Sequence, residues 1–166
     1  MIVVLTESEI LHAGFIAAQR QAQNLSKGRA DAYGAKRGNG LDLHFQGCMG
    51  EIALAKGLNL FWSGQLGNLR ASDVSKFQVR ATTLSGVRGP EGNLLLHPND
   101  SGADCFVLVR LDGARADLRG YILGSNGKKE EFWKPDGWTS GWRACFRVPE
   151  GSLQRFKADR ISSEAA

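Results

Sequence analysis

The sequence has few cysteines, no long apolar run and little net charge, and each shortage excludes a class of protein. Cys48, Cys105 and Cys145 are an odd number without a CxxC pair, which excludes a disulfide framework or a zinc site built from cysteine alone. Their apolar neighbours predict reduced core thiols. Runs such as Ile2 to Leu5 are far shorter than the roughly 20 residues of a membrane-spanning helix. The N-terminus also lacks the pattern of an export signal, so we expect a cytoplasmic protein with no membrane partner.

The remaining composition is that of one globular domain. The chain has 166 residues, 42% of them hydrophobic, and 21 Lys and Arg against 17 Asp and Glu give a formal net charge of +4. This mild excess permits a nucleic-acid partner without requiring one. Glycine is the exception. The chain has 21 glycines in 166 residues, about 13%, which is nearly twice the usual share of about 7%. Many loops and close approaches of the backbone are therefore expected.

Hydrophobic periodicity predicts an α/β chain. Thr6 and Glu9 fit a capping box that starts a helix extending to about Leu25, and Asp42 starts a second helix that ends near Gly57. Alternating or β-branched runs predict strands. We expect those strands at Ile2 to Leu5, Phe77 to Thr82, Asn93 to His97, Cys105 to Leu111, Leu118 to Leu123 and Ala144 to Val148, with a tight hairpin between Val74 and Phe77, one short helical turn within 126–134, and a closing helix from Pro149 to Phe156.

The predicted organisation is a single domain, 1–166, with a mixed central β-sheet flanked by helices. Residues 1–40 supply the N-terminal helix and a basic loop, residues 41–123 a core that carries the polar motif, and residues 124–166 a Trp-rich extension. The aromatic residues of this extension could stack on bases or pack as a satellite core against the sheet.

Four polar residues of the central part are expected to converge. Glu51 lies on the second helix among small residues, and Asp73 ends a strand just before the hairpin. Gln78 and Arg80 point to the same face of the next strand because they are two positions apart. Taken singly, each has a structural explanation: an Asp often starts a turn, and a polar pair on a strand is often a solvent-facing pair.

The segment from Asp73 to Arg80, DVSKFQVR, resembles the core motif of the PD-(D/E)XK nuclease superfamily. Glu51, in GCMGEIA, is similar to the glutamate often found on the first core helix of that superfamily. The arrangement is particularly similar to small phage proteins of the superfamily, and it covers roughly Leu41 to Leu123. It implies a restriction-endonuclease-like core in a bacterium or a phage-infected host cell.

The resemblance also implies a site for Mg²⁺ or Mn²⁺ and hydrolysis of DNA phosphodiester bonds. Asp73 would be the principal metal ligand, Glu51 the second, directly or through water, and the Val79 carbonyl a third. Hard divalent cations prefer such oxygen ligands. The sequence departs from the family twice: Gln78 replaces the second carboxylate, and Arg80 replaces a lysine and remains charged at neutral pH. A catalytically weak or inactive nuclease fold that binds DNA or protein is therefore the alternative, and a structural phage protein that reuses the fold is a third.

Other candidates are less specific. The basic residues Lys27, Arg29, Lys36 and Arg37 are expected to contact DNA phosphates, the alternative being solvated charge on a loop. The segment from His97 to Asp100 is either an accessory to the same cleft or a plain turn. The sequence does not determine the oligomeric state, and a homodimer is compatible with it.

Overall fold

The computed structural model describes residues 1–28, 40–66, 72–83, 93–136 and 143–156. Within these ranges one strand is followed by two helices, four strands, a short helix and two further strands, with 3-10 turns at Glu130–Phe132 and Glu150–Ser152. The strands are β1 (Ile2–Val4), β2 (Phe77–Thr83), β3 (Asn93–Leu96), β4 (Cys105–Asp112), β5 (Arg115–Leu123), β6 (Trp133–Lys134) and β7 (Cys145–Pro149). The helices are α1 (Glu7–Ser26), α2 (Gly40–Gly57) and α3 (Gly124–Gly127).

The strands form two sheets. The larger has the order β1-β5-β4-β2, in which β2 runs parallel to β4 and the other pairs are antiparallel. The smaller is antiparallel with the order β3-β7-β6. The larger sheet is mixed, which confirms the predicted α/β class, and β2 is one of its edge strands.

The larger sheet is the middle layer between helices and the smaller sheet. Successive side chains of a strand point to opposite faces. In β4, Val107 and Val109 accordingly join the core that α1 and α2 cover, whereas Phe106 and Leu108 join a second core with residues of the smaller sheet. The expectation of helices flanking the sheet is thus correct for one face only, because the second sheet lies against the other.

The start of α1 and the approach of α2 follow from local sequence. Thr6 accepts a hydrogen bond from the Glu9 backbone while the Glu9 carboxylate accepts one from the Thr6 backbone, which confirms the predicted capping box. Gly50 lets α2 approach β2 closely, since a Cβ atom there would lie 2.8 Å from the Cβ of Ala81. This close approach brings the next residue of α2, Glu51, to the sheet.

Three local predictions need correction. Asp73 does not end a regular strand: Val74 and Phe77 form a single antiparallel bridge across a tight turn. The expected closing helix is only the 3-10 turn at Glu150–Ser152, because the chain then pairs as a bridge between Gln154 and Tyr121. Cys105 is only partly buried, unlike the other two cysteines.

The Trp-rich segment contributes to the smaller sheet, where Trp133 and Phe146 have ring centroids 4.8 Å apart. Trp138 and Trp142 lie outside the described residues. Within the described residues, no helix combines the length and the apolar character needed to cross a membrane.

Candidate functional site

Asp73 is fixed by the turn that precedes β2, at the edge of the strand that faces away from β4. Its backbone N–H donates to the Phe77 carbonyl at 2.9 Å, and Ser75 supplies the positive φ of 53° that the reversal requires. The side chain then folds back, so that Oδ2 accepts a 2.7 Å hydrogen bond from the Val79 backbone. This N–H faces away from β4, and the carbonyl of the same residue faces the same edge. The Asp73 carboxylate and the Val79 carbonyl, which also accepts a long 3.5 Å hydrogen bond from Arg80 Nη1, therefore both lie at this edge.

Glu51 is held inside the protein by two donors from other parts of the chain. Its side chain is almost fully buried, and Arg20 of α1 forms a bidentate pair with it, with N···O distances of 2.7 and 2.9 Å. Trp62 donates from Nε1 to Oε2 of the same carboxylate at 2.8 Å. Burial of a charged carboxylate requires such pairing. Both oxygens of Glu51 are thus engaged, with Oε2 accepting two hydrogen bonds.

The charges around Asp73 act on its carboxyl group in opposite directions. Burial and the nearby Glu51 carboxylate raise the pKa of Asp73 to about 6, against the lowering effects of the Val79 hydrogen bond, Arg80 and Arg20. Burial lowers the pKa of Arg20, but the bond to Glu51 outweighs this and raises it. Asp73 therefore lies within electrostatic reach of both arginines and of Glu51.

Cys48 lies one helical turn before Glu51 and does not act as a nucleophile in this environment. Its side chain is fully buried, and burial raises its pKa to about 12. The thiol stays protonated at neutral pH, and it is the thiolate that reacts.

Gln78 and Arg80 lie on the face of β2 opposite to Val79. Arg80 pairs with Asp100 at 3.1 and 3.2 Å, and its guanidinium carbon is 5.2 Å from the ring centroid of Phe106 in the second core. Gln78 donates to Asp104 Oδ2 at 3.4 Å. Glu51 approaches from the helix side of the sheet, and both Glu51 and Arg80 act electrostatically on Asp73, whereas the described hydrogen bond of Gln78 is to Asp104.

The segment from His97 to Asp100 forms a turn next to this edge. The Asp100 backbone donates to the His97 carbonyl at 3.0 Å, and the Asp100 carboxylate accepts from the His97 backbone at 2.8 Å as well as from Arg80. Lys128 donates to the backbone carbonyls of Pro98 and Asp100 and holds the turn in place. The acid of this turn therefore reaches the motif through Arg80.

Sequence reasoning missed the partners of the motif. Arg20 is one of several polar residues on α1, and Trp62 follows α2 in a loop; the sequence gives no spacing rule that links either to Glu51. The burial of Glu51 among small residues was the one available signal, because a buried carboxylate needs a cation or strong donors. Of the basic residues expected to contact nucleic acid, Lys27 is an exposed residue at the end of α1. Arg29, Lys36 and Arg37 lie outside the described residues.

The oxygen donors at the β2 edge fit a hard divalent cation that keeps most of its water. Mg²⁺ commonly takes one or two carboxylates from a protein and retains several water molecules. Asp73 and the Val79 carbonyl match that donor set, whereas Glu51 has only Oε1 with acceptor capacity left beyond its described bonds. Among the described residues, no three His, Cys, Asp or Glu side chains form a metal-binding cluster.

Comparison of the chain with protein-family models, with curated proteins and with solved structures finds no match.

Proposed function

We propose that the protein is a metal-dependent deoxyribonuclease with a restriction-endonuclease-like core of the PD-(D/E)XK type. The observation that carries the proposal is the position of the Asp73 carboxyl group. It is pinned on the Val79 backbone at a sheet edge, close enough to Glu51, Arg20 and Arg80 for all three to affect its pKa. A partly desolvated acid among cationic groups is typical of a functional site.

In this proposal Asp73 and the Val79 carbonyl are the protein ligands of the cation, and Glu51 acts on it through water. When bound, Mg²⁺ or Mn²⁺ supplies the Lewis acidity and the activated water that phosphodiester hydrolysis needs. Asp73 must be deprotonated to bind, and a cation at this place favours that form. The excess positive charge of the chain favours DNA as the polyanionic substrate.

The two arginines supply fixed positive charge to the phosphate. Arg80 cannot serve as a proton acceptor, so its contribution is electrostatic stabilisation of the developing charge. Glu51 holds Arg20 through two hydrogen bonds, and Trp62 fixes the carboxylate from the other side. In the proposed mechanism Glu51 is thus a positioning residue for Arg20 as well as a source of negative charge.

A second candidate, a nuclease fold that binds DNA or protein without cutting, is favoured by the internal pairing of the motif. Glu51 is paired with Arg20, Arg80 with Asp100, and Gln78 with Asp104. In a catalytic site the Glu51, Gln78 and Arg80 side chains would instead contact the metal or the substrate. The two candidates differ in whether metal binding at Asp73 is followed by cleavage.

Metal titration combined with a cleavage assay tests the proposal. Metal-free protein is expected to gain about 2–3 kcal/mol of unfolding free energy at a hundredfold excess of Mg²⁺ or Mn²⁺ over its Kd. Asp73→Ala should abolish this gain, whereas Asp112→Ala, which removes an exposed acid at the end of β4, should leave it unchanged.

Cleavage of plasmid and single-stranded DNA then separates the candidates. Cleavage that depends on metal and on Asp73 supports the nuclease. Metal binding with intact DNA favours the binding module. Absence of any Asp73-dependent stabilisation would rule out the metal site and with it the nuclease.

A further inference from the structure

Three aromatic side chains gather on the helix-side face of the larger sheet, beside the turn that carries Asp73. Phe77 of β2 and Tyr121 of β5 lie at the margin of the core under the helices, and Phe156, near the end of the described residues, packs on both. The ring centroids are 6.4 Å apart for Phe77 and Tyr121, and 5.1 Å apart for Tyr121 and Phe156. All three side chains are partly exposed. We call Phe77, Tyr121 and Phe156 the aromatic platform.

The platform lies where the cover provided by α2 gives way to solvent. Further along β2 the same face is in close contact with α2 at Gly50. At the start of the strand the face is less covered, because Cys105, which lies opposite Phe77, is only partly buried. Leu123, opposite Cys105 on β5, is 42% exposed. This end of the sheet therefore presents aromatic and apolar surface to solvent.

Phe77 connects the platform to the candidate metal site through its backbone. Its carbonyl accepts the Asp73 backbone N–H at 2.9 Å, and two residues further along β2 the Val79 N–H donates to the Asp73 carboxylate at 2.7 Å. Phe77 and Val79 point to the same face of the sheet, roughly 7 Å apart along the strand. Glu51 acts on Asp73 from that face as well. A nucleic-acid strand with a phosphate at the cation would thus have neighbouring bases within reach of the platform.

The chemistry of the platform fits unpaired bases of a polyanion. Bases stack on aromatic side chains irrespective of sequence, whereas the bases of a duplex are already stacked on one another. Lys76 is exposed, and its ammonium group lies 5.8 Å from the centroid of the Phe77 ring. A cation beside an aromatic ring provides one group for a phosphate and one for a base. The excess positive charge of the whole chain favours the same occupant.

We propose that the aromatic platform binds unpaired bases, so that the substrate of the site is single-stranded DNA. This inference rests on the proposed function, because the candidate cation site beside Phe77 is what identifies the bound strand as a nucleic acid. It narrows that function to a substrate class, since a strand held by base stacking must be unpaired where it crosses the sheet.

Fluorescence anisotropy in EDTA tests the platform separately from cleavage. A labelled oligothymidylate should bind about tenfold more tightly than an abasic strand of the same length, and also more tightly than the corresponding duplex. Phe156→Ala should weaken binding of the oligothymidylate by about tenfold, whereas Phe156→Tyr keeps an aromatic ring and should not. Phe15→Ala is the matched control, since Phe15 of α1 is 61% exposed and lies outside the platform. Equal binding of the oligothymidylate and the abasic strand would overturn the proposal.

Photocrosslinking locates the contact in the wild-type chain, so this test does not depend on the folding of any variant. A single strand that contains 5-iodouracil is irradiated with the protein, and the attached peptides are identified by mass spectrometry. We expect attachment at Phe77, Tyr121 or Phe156. Attachment confined to other segments would rule out the platform.

The platform and the nuclease fail in different ways. Cleavage that depends on metal and on Asp73, together with equal binding of single strands by Phe156→Ala and wild type, contradicts the platform alone. Binding of single strands that depends on Phe156, without cleavage in Mg²⁺ or Mn²⁺, supports the platform and contradicts the nuclease.

Discussion

Charged groups from both faces of the larger sheet act on the Asp73 carboxyl group. Glu51 acts on it from the helix side, Arg80 belongs to the opposite face of β2, and the Val79 N–H holds one of its oxygens. The effects of burial and of Glu51 on the pKa of Asp73 are larger than those of Arg80 and the Val79 N–H. The charged form of Asp73 is therefore destabilised. A residue that is costly for stability when charged, and that still holds a strong hydrogen bond, is well suited to receive a cation.

This cost predicts how stability depends on pH. Burial and Glu51 raise the pKa of Asp73 from its ordinary value of 3.8 to about 6 in the folded state. Between pH 4 and 6 the folded state therefore binds more protons than the unfolded state. Without metal, the free energy of unfolding should therefore fall as pH rises through this window, by up to about 3 kcal/mol.

Asp73→Asn should remove most of this fall and be the more stable protein at pH 7.5, since the amide oxygen can still accept from Val79. Urea unfolding in EDTA at several pH values measures the free energy of unfolding of both proteins, with Asp112→Asn as the control for net charge. A variant that is less stable than wild type at pH 7.5 would contradict the assigned environment of Asp73.

At the scale of elements, the site depends on the distance between α2 and β2. A Cβ atom at Gly50 would lie 2.8 Å from the Cβ of Ala81 and 3.2 Å from a methyl group of Val79. α2 can approach β2 because glycine has no side chain at this position. Glu51, the next residue, is thereby carried into the polar cluster.

Gly50→Ala should lower the free energy of unfolding by about 1–3 kcal/mol, because the added methyl group overpacks the interface. Gly47→Ala is the matched control on the same helix. A Cβ atom at Gly47 meets nothing within 4 Å, so that variant should be neutral or more stable by about 0.5–1 kcal/mol. Chemical denaturation of both variants measures the difference; equal effects would show that close packing is not the reason for glycine at position 50.

At the scale of the whole molecule, one sheet separates two cores. The alternating side chains of β4 serve both, with Val107 in the core under the helices and Phe106 in the core under the smaller sheet. The two cores share a strand, and we therefore expect them to unfold together. The segment that carries Asp100 connects the second core to Arg80, so the smaller sheet also supports the site.

Leu96→Ala tests this coupling, because Leu96 is fully buried in the second core. The variant should lose about 2–5 kcal/mol of unfolding free energy. Its transition should still be single and coincide by far-UV circular dichroism and tryptophan fluorescence. Leu123→Ala, at a leucine that is 42% exposed, should lose much less. Two separated transitions would contradict a shared folding unit.

The elements with strong local signals were predictable. Thr6 and Glu9 identified the start of α1, and the residues of β2 and β4 identified strands, because capping and periodicity act between near neighbours. The ends of weak elements were not. The residues after Pro149 have a helical pattern, but the chain there pairs with Tyr121 of β5, and a long-range backbone pairing of this kind leaves no local trace.

By itself, the sequence determined the α/β class, the order of the main elements and the four polar positions of the motif. Only the tertiary structure decided what those positions contact. It showed that Arg20 and Trp62 hold Glu51, that Asp100 holds Arg80, and that Gln78 bonds to Asp104. The physical reason is that periodicity and capping are properties of neighbours in the chain, whereas the partners of these charged groups are 11 to 31 positions away.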